Sequence, residues 1–361
     1  MALGLARAAL VGALAILLGA PSGAAHAAQP MPAPLLHAVQ ARAASAYRGE
    51  QIVVSWEGGG TQVTLGRVEH DPPAWTRLEY TPVGSSRSWV IVRQGTVEVQ
   101  YDPSTGAGTR APYLAGDDDE VFSTTHLPWL LENYRISTVS DRFLGRSVDR
   151  VLIRPVVRDR PARRIDIDRE SGVILRSERI DPAGRLVQLA VFLSFEVMPR
   201  GWRAGADLPR GLRLAERPVR RTITREDATA RLGAVPVQVD VPVGFHRVAD
   251  YLAFNSRDGR ATLQTIYSDG LTVLMLTAQR GTLPRPPQGS RMLQVAGGPV
   301  WIRRQGASAL VHWAYRGWVL TMVGEVSLES LVQVAARTGV AGTPRVRDHV
   351  QSWLRGLFGF F

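Results

Sequence analysis

Apolar and charged side chains alternate through much of this chain, most cleanly over residues 163–198. That run reads Arg-Arg-Ile-Asp-Ile-Asp, a turn ending at Gly172, Val-Ile-Leu-Arg-Ser-Glu-Arg-Ile, a second turn Asp-Pro-Ala-Gly, then Arg-Leu-Val-Gln-Leu-Ala-Val-Phe-Leu-Ser-Phe-Glu-Val. A period of two puts one face on a core and the other in water, so three antiparallel strands are predicted. Gly172 supplies the positive φ of a tight hairpin. Pro182 fixes φ at the second position of the next turn, and Gly184 releases the chain after it. No catalytic group is built into this meander. It reads as a scaffold that binds something.

Upstream, Leu35, Leu36, Val39, Ala43, Ala46 and Tyr47 recur at helical spacing, predicting an amphipathic helix over 34–48 with Pro34 at its start. Strands are predicted at 51–56, 61–69, 75–80, 88–93 and 96–101, with Gly58-Gly59-Gly60 as a hairpin turn. Residues 105–116 read as a Gly-rich loop, 127–134 as a short helix and 148–157 as a further strand. The character changes after Met198. Residues 201–223 are rich in Arg, Gly and Pro, with little periodicity, and read as a linker. A second unit follows, with strands at 260–267, 272–278, 300–304, 309–315 and 317–324. A closing helix is predicted at 327–337, with Ser327 as N-cap. The expected division is a signal peptide at 1–27, an N-terminal domain at 34–199, a linker at 200–236, a C-terminal domain at 237–342 and a tail at 343–361.

Composition narrows the class. Arg7 followed by the short apolar run 8–20 and the small residues Ala25-His26-Ala27 reads as a secretory signal cleaved after Ala27, so an exported, periplasmic protein is expected. The chain has no cysteine, which removes disulfides, thiol nucleophiles and thiolate metal sites and leaves the fold to its core alone. The formal charge is +11, and all 43 basic residues are Arg. Guanidinium binds carboxylate or phosphate in bidentate fashion. Outside the cytoplasm nucleic acid is not expected as a partner. Lipid phosphates, anionic membrane surfaces and acidic peptides are.

Catalytic chemistry finds little support. His37, His70, His126, His246, His312 and His349 are dispersed without metal-ligand spacing, and no Gly-x-Ser-x-Gly elbow occurs. Asp117-Asp118-Asp119-Glu120 lacks the alternation and central glycine of a calcium loop and reads as a solvated acidic loop. No metal, cofactor or catalytic residue is expected. The aromatic residues Trp56, Trp75, Trp89, Trp129, Phe192 and Phe195 are candidates for lining an apolar cavity under a curved sheet, against the alternative of an ordinary filled core. The tail from Trp353 to Phe361 carries the aromatic character of an interfacial segment, although a disordered end fits equally.

Several segments resemble the MucB/RseB family of periplasmic sigma-factor regulators. They are Leu127-Pro128-Trp129-Leu130-Leu131 with Asn133-Tyr134, Arg142-Phe143-Leu144-Gly145-Arg146, residues 163–174, and Asp181 to Gly184 with Phe192 to Phe195. In the second unit they are Val241-Pro242-Val243-Gly244-Phe245, Tyr267-Ser268-Asp269-Gly270-Leu271 and Val323-Gly324-Glu325-Val326. The resemblance implies an α+β fold: an N-terminal half-barrel with a helix, similar to the lipoprotein carrier LolA, joined to a smaller antiparallel sheet-and-helix domain. It also implies a non-enzymatic regulator. Such a protein would bind the periplasmic part of a membrane anti-sigma factor, shield it from proteolysis, and respond to lipid, lipopolysaccharide or acylated peptide. Arg257, Arg260, Tyr267, Arg303 and Arg304 are the candidate partner contacts. A lipid or lipoprotein carrier is the alternative, and a homo-oligomer is left open.

Overall fold

The computed structural model describes residues 32–338 apart from 58–59, 73–74, 113–125, 200, 203–207, 217–220, 233–238, 255–260, 284–286, 288, 296–297 and 306–307. The signal segment, the acidic run 117–120 and the tail 343–361 lie outside the described residues. Helix α1 (Ala33–Ala44) leads into β1 (Tyr47–Glu57), β2 (Gly60–Asp71), β3 (Trp75–Pro82), β4 (Trp89–Gln94), β5 (Val97–Asp102) and β6 (Ala107–Pro112). Helix α2 (Leu127–Asn133) then precedes β7 (Tyr134–Phe143), β8 (Arg146–Pro155), β9 (Ala162–Asp168), β10 (Ile174–Ile180) and β11 (Leu186–Val197). These two meanders join where β1 pairs with β11, and β12 (Arg213–Glu216) adds in parallel to β6. The result is one open twelve-stranded sheet whose edges are β12 and β7.

The second sheet is built from β13 (Arg221–Thr222), β14 (His246–Phe254), β15 (Ala261–Ser268), β16 (Val273–Arg280), β17 (Arg291–Val295), β18 (Gly298–Gln305), β19 (Ser308–Tyr315) and β20 (Trp318–Gly324). Helix α3 (Arg225–Leu232) precedes β14, and α4 (Leu328–Thr338) follows β20. The spatial order β13-β14-β15-β16-β20-β19-β18-β17 is antiparallel throughout. The fold class is the one expected: an open antiparallel sheet with helices, plus a smaller sheet with its own helix.

Several elements differ from the sequence reading. The first helix stops at Ala44, because Ser45 turns extended and Tyr47 already pairs with Val197 and His70. The stretch read as a Gly-rich loop contains β6, whose ladder to β5 depends on backbone rather than on an alternating pattern. The stretch read as a linker contains β12, β13 and α3, and β7, β14 and β17 are further strands that patterning did not find. The hairpin at the triple glycine stands, since Glu57 pairs with Gly60.

The inner face of the first sheet is apolar where helices cover it. Leu35 of α1 and Leu127 and Leu130 of α2 pack on Val151, Ile153, Ile165 and Ile167. Gly172 has φ +73°, and a Cβ there would press to 2.8 Å on Ala41 and His37 of α1. The turn therefore needs glycine twice, for its backbone and for the helix lying on it. The other face of β8 to β10 carries buried carboxylates. Arg150 forks onto Asp166 at 2.7 and 2.9 Å, and Arg146 onto Asp168 at 2.8 and 3.0 Å. Burial pushes the Asp168 carboxyl up, but the hydrogen bonds from Arg146 and Ser171 outweigh it and hold it below the usual range. Glu178 behaves alike, burial being outweighed by Arg164 and Arg176. The all-Arg composition finds its use here, because an ammonium cannot make these forks.

In the second sheet, Leu331, Val334 and Ala335 of α4 pack on Val311, Trp313, Leu320 and Met322. On the opposite face His312 is buried with Nδ1 2.7 Å from Thr321 Oγ1. Burial, with a smaller push from Arg303, holds its pKa down to about 3. The folded imidazole stays neutral while the unfolded one takes a proton below its ordinary value of 6.5. Stability is therefore expected to fall between 6.5 and about 3, by about 1.4 kcal/mol per pH unit from this group. Denaturant midpoints at pH 7 and pH 4.5 check this: the loss on acidification should be smaller in His312→Gln than in the unmodified chain, and equal losses would acquit His312.

Candidate functional site

The two sheets meet at a buried polar centre. Its core is Asp269, 0% exposed, and Arg160, 1% exposed, with Nη1 donating to Oδ2 at 2.9 Å. Tyr134 donates its hydroxyl to the same oxygen at 2.8 Å. The other carboxylate oxygen accepts the amides of Leu271 at 3.0 Å and Thr272 at 2.7 Å. One side chain thus closes the β15–β16 turn and binds two groups of the first sheet. Burial opposes the charge on Arg160, but Asp159 and Asp269 outweigh it and raise its pKa. Burial, followed by the neighbouring Asp269 charge, pushes the Tyr134 hydroxyl well above its ordinary value, so it remains a donor. Arg160 also donates to the Val243 carbonyl at 2.7 Å and lies 4.9 Å from the Phe245 ring centroid.

Helix α2 presents the receiving surface. Pro128 stands in its first turn, Leu127 and Leu130 face the core, and Asn133 ends it. Asn133 Nδ2 shares its two hydrogens among the carbonyls of Trp129, Gly244 and Asp269, at 2.8, 3.0 and 3.1 Å. Gly270 has φ +101° and sits so close to the helix that a Cβ would lie 2.6 Å from Leu130 Cα. Leu271, the next residue, is buried in the first sheet's core beside Leu35 and Tyr134, a contact worth about 2 kcal/mol. The Tyr-Ser-Asp-Gly-Leu segment is therefore a turn driven into the first sheet.

A second contact reinforces the first. Glu325 pairs with Arg179, with Arg163 at 3.8 Å. The Asp159 carbonyl accepts the Ser327 amide at 2.6 Å, and its carboxylate accepts the Ser330 hydroxyl at 3.0 Å. Ser327 caps α4 as expected, its Oγ accepting the Ser330 amide at 3.1 Å.

The six aromatic candidates do not form one group. Phe192 and Phe195 meet edge to face at 5.5 Å, together with Tyr47, which the sequence reading did not include. Trp75 belongs to another cluster with Val90, Val92, Val99 and Tyr101. Trp89 is half-buried on β4, and Trp56 is 38% exposed on β1. Trp129 lies at the junction, stacked between His126 and His246 with ring centroids 5.0 and 4.7 Å away. Of the partner candidates, Tyr267 is buried in the second sheet's core. Arg303 and Arg304 are exposed on β18, adjacent and hence on opposite faces. Arg257 and Arg260 lie outside the described residues. Asp159 and Arg160 were missed, and nothing in Arg158-Asp159-Arg160-Pro161 marks them as buried. Among the described residues no His, Cys, Asp or Glu cluster fit to hold a metal occurs.

Removing one member of a buried pair leaves an uncompensated charge, at a cost of about 3–5 kcal/mol. Asp269→Asn is expected to destabilise by that order in urea unfolding. The double variant Arg160→Met/Asp269→Asn should lose less than the sum of the single changes. Strict additivity would show that the two side chains are not coupled.

Comparison with known proteins agrees with the geometry. Residues 114–218 match the family model described as the MucB/RseB N-terminal domain. No curated protein matches the chain. Among solved structures, the complex of Pseudomonas aeruginosa MucA/MucB is similar with a TM-score of 0.56 and 14% identity, covering 87% of this chain and 98% of that one. A crystal structure of MucB in complex with MucA(peri) gives the same values. At that identity the likeness shows the fold. The family match covers α2 and its partner strands β7 to β11, the same elements that receive the second sheet. The chain thus carries a segment similar to the MucB/RseB N-terminal domain at residues 114–218, within a fold similar to that of MucB over most of its length.

Proposed function

We propose that this chain is an exported, non-catalytic regulator. It would bind the extracytoplasmic part of a membrane anti-sigma factor, limit its proteolysis, and let go when an envelope lipid or acylated peptide binds. The observation that carries this reading is the family match at residues 114–218. The fold supports it over most of the chain, since it is similar to that of a protein solved with its MucA partner. The proposed division of labour follows the two sheets, with residues 34–199 and 237–342 as domains. The buried junction fixes one relative placement of the sheets. A ligand that favours a different placement shifts the equilibrium by no more than its differential affinity for the two.

The direct test is capture of the purified ectodomain of a single-pass membrane anti-sigma factor. Binding in the micromolar range or tighter, and slower cleavage of that ectodomain by a site protease, are expected. No capture at any salt concentration would remove the reading. The lipid part has its own test. Trp emission should shift when phospholipid vesicles or an acylated peptide are added, and Trp89→Ala or Trp129→Ala should weaken the shift. An unchanged spectrum would leave a regulator without a lipid signal.

A further inference from the structure

The first sheet ends in a strand that is ready for another. β7 spans ten residues and is the outermost strand of its sheet. Among the described residues nothing pairs with its outer side. The opposite edge, β12, has four residues. Sheets usually blunt a long edge with proline, with charges or with a covering element. The middle of β7, Ile136-Ser137-Thr138-Val139-Ser140, has neither proline nor charge, and Val139 is 58% exposed.

The register tells which backbone groups face outward. Leu144 and Gly145 both have positive φ, at 50° and 74°, and Phe143 pairs with Arg146 across them. Such a two-residue turn closes on a hydrogen-bonded pair, so amides of β7 at Phe143, Asp141, Val139 and Ser137 point to β8. Those of Arg142, Ser140, Thr138 and Ile136 point away. The Arg142 amide agrees, donating to its neighbour Asp141 Oδ1 at 2.7 Å rather than to β8.

Two like charges lie beside this edge. Arg135 on β7 lies directly opposite Arg154 on β8, and both are exposed. Neither has a carboxylate partner among the described residues. Their neighbour on this face differs: Arg150 is paired with Asp141 and Asp166. Like charges directly opposed across strands destabilise a sheet. An acidic side chain on an added strand would remove that cost.

We propose that the outer edge of β7 accepts an extended, acidic segment of the partner protein as a thirteenth strand, with its carboxylates against Arg135 and Arg154. This deepens the proposed function and rests on its reading that the partner is a polypeptide. Main-chain hydrogen bonds give such an addition its affinity, and flanking charges give it direction. β7 begins at Tyr134, whose hydroxyl holds Asp269, so the added strand would run up to the junction of the two sheets.

The test uses the full chain and the same anti-sigma ectodomain, with binding followed by calorimetry. Thr138→Pro removes one outward amide and leaves the β8 ladder intact, whereas Thr138→Val keeps the amide. Thr138→Pro and the double variant Arg135→Glu/Arg154→Glu should each weaken binding by about tenfold, and Thr138→Val should not. Hydrogen exchange at Ile136, Thr138 and Ser140 should slow in the complex of the unmodified chain, a readout independent of how well any variant folds. Full affinity in both variants, with unchanged exchange at those amides, overturns the edge as the site and leaves the regulator reading intact. Failure of the unmodified chain to bind overturns both.

Discussion

The Asp269 carboxylate is the constraint on which the arrangement of this molecule depends. An ionised group with no solvent access survives only if its lone pairs are filled and its charge is met. Asp269 satisfies both conditions with partners from two sheets: its own turn supplies two amides, while Tyr134 and Arg160 supply a hydroxyl and a guanidinium. Sliding one sheet past the other would leave a buried cation and a buried anion apart. The interface therefore has one satisfactory register, and apolar packing of Leu271 adds to a placement that the polar groups define.

Around that centre the residue types are used consistently. Arg160, Arg146 and Arg150 each pair with a buried carboxylate. Arg146 and Arg150 do this with two parallel hydrogen bonds each, while Arg160 divides its donors among Asp269, Asp159 and the Val243 carbonyl, and a guanidinium remains charged at any relevant pH. A chain without cysteine has no covalent staple, and much of its specificity of packing is carried by these pairs. His312 is the opposite case: a titratable side chain kept neutral by burial, with Thr321 as its partner.

Several of the segments that resemble the MucB/RseB family converge on this junction. Leu-Pro-Trp-Leu-Leu with Asn133 forms the receiving helix and Tyr134 follows it, Tyr-Ser-Asp-Gly-Leu is the inserted turn, Val243 and Phe245 meet Arg160, and Glu325 pairs with Arg179 and Arg163. Expecting Tyr267 to meet a partner treated as surface chemistry what serves to hold the chain to itself. The edge of β7 offers a different kind of surface, one of backbone groups and exposed guanidinium groups.

The sequence determined the local structure wherever a period of two or a turn residue was strong. The meander around Gly172 and Gly184, the strands at Trp75 and Val97, α2, and the cap at Ser327 were all legible, because alternation, positive φ and hydroxyl capping act over a few residues. β6, β12 and β17 were not, because their pairing relies on a neighbouring strand's backbone rather than on their own side chains. Tertiary structure alone decided that Arg160 and Asp269, 109 positions apart, would share a buried bond, and that six aromatic residues would divide among separate places. Burial is a property of what the rest of the chain brings, and no local pattern around Asp159 and Arg160 carries that information.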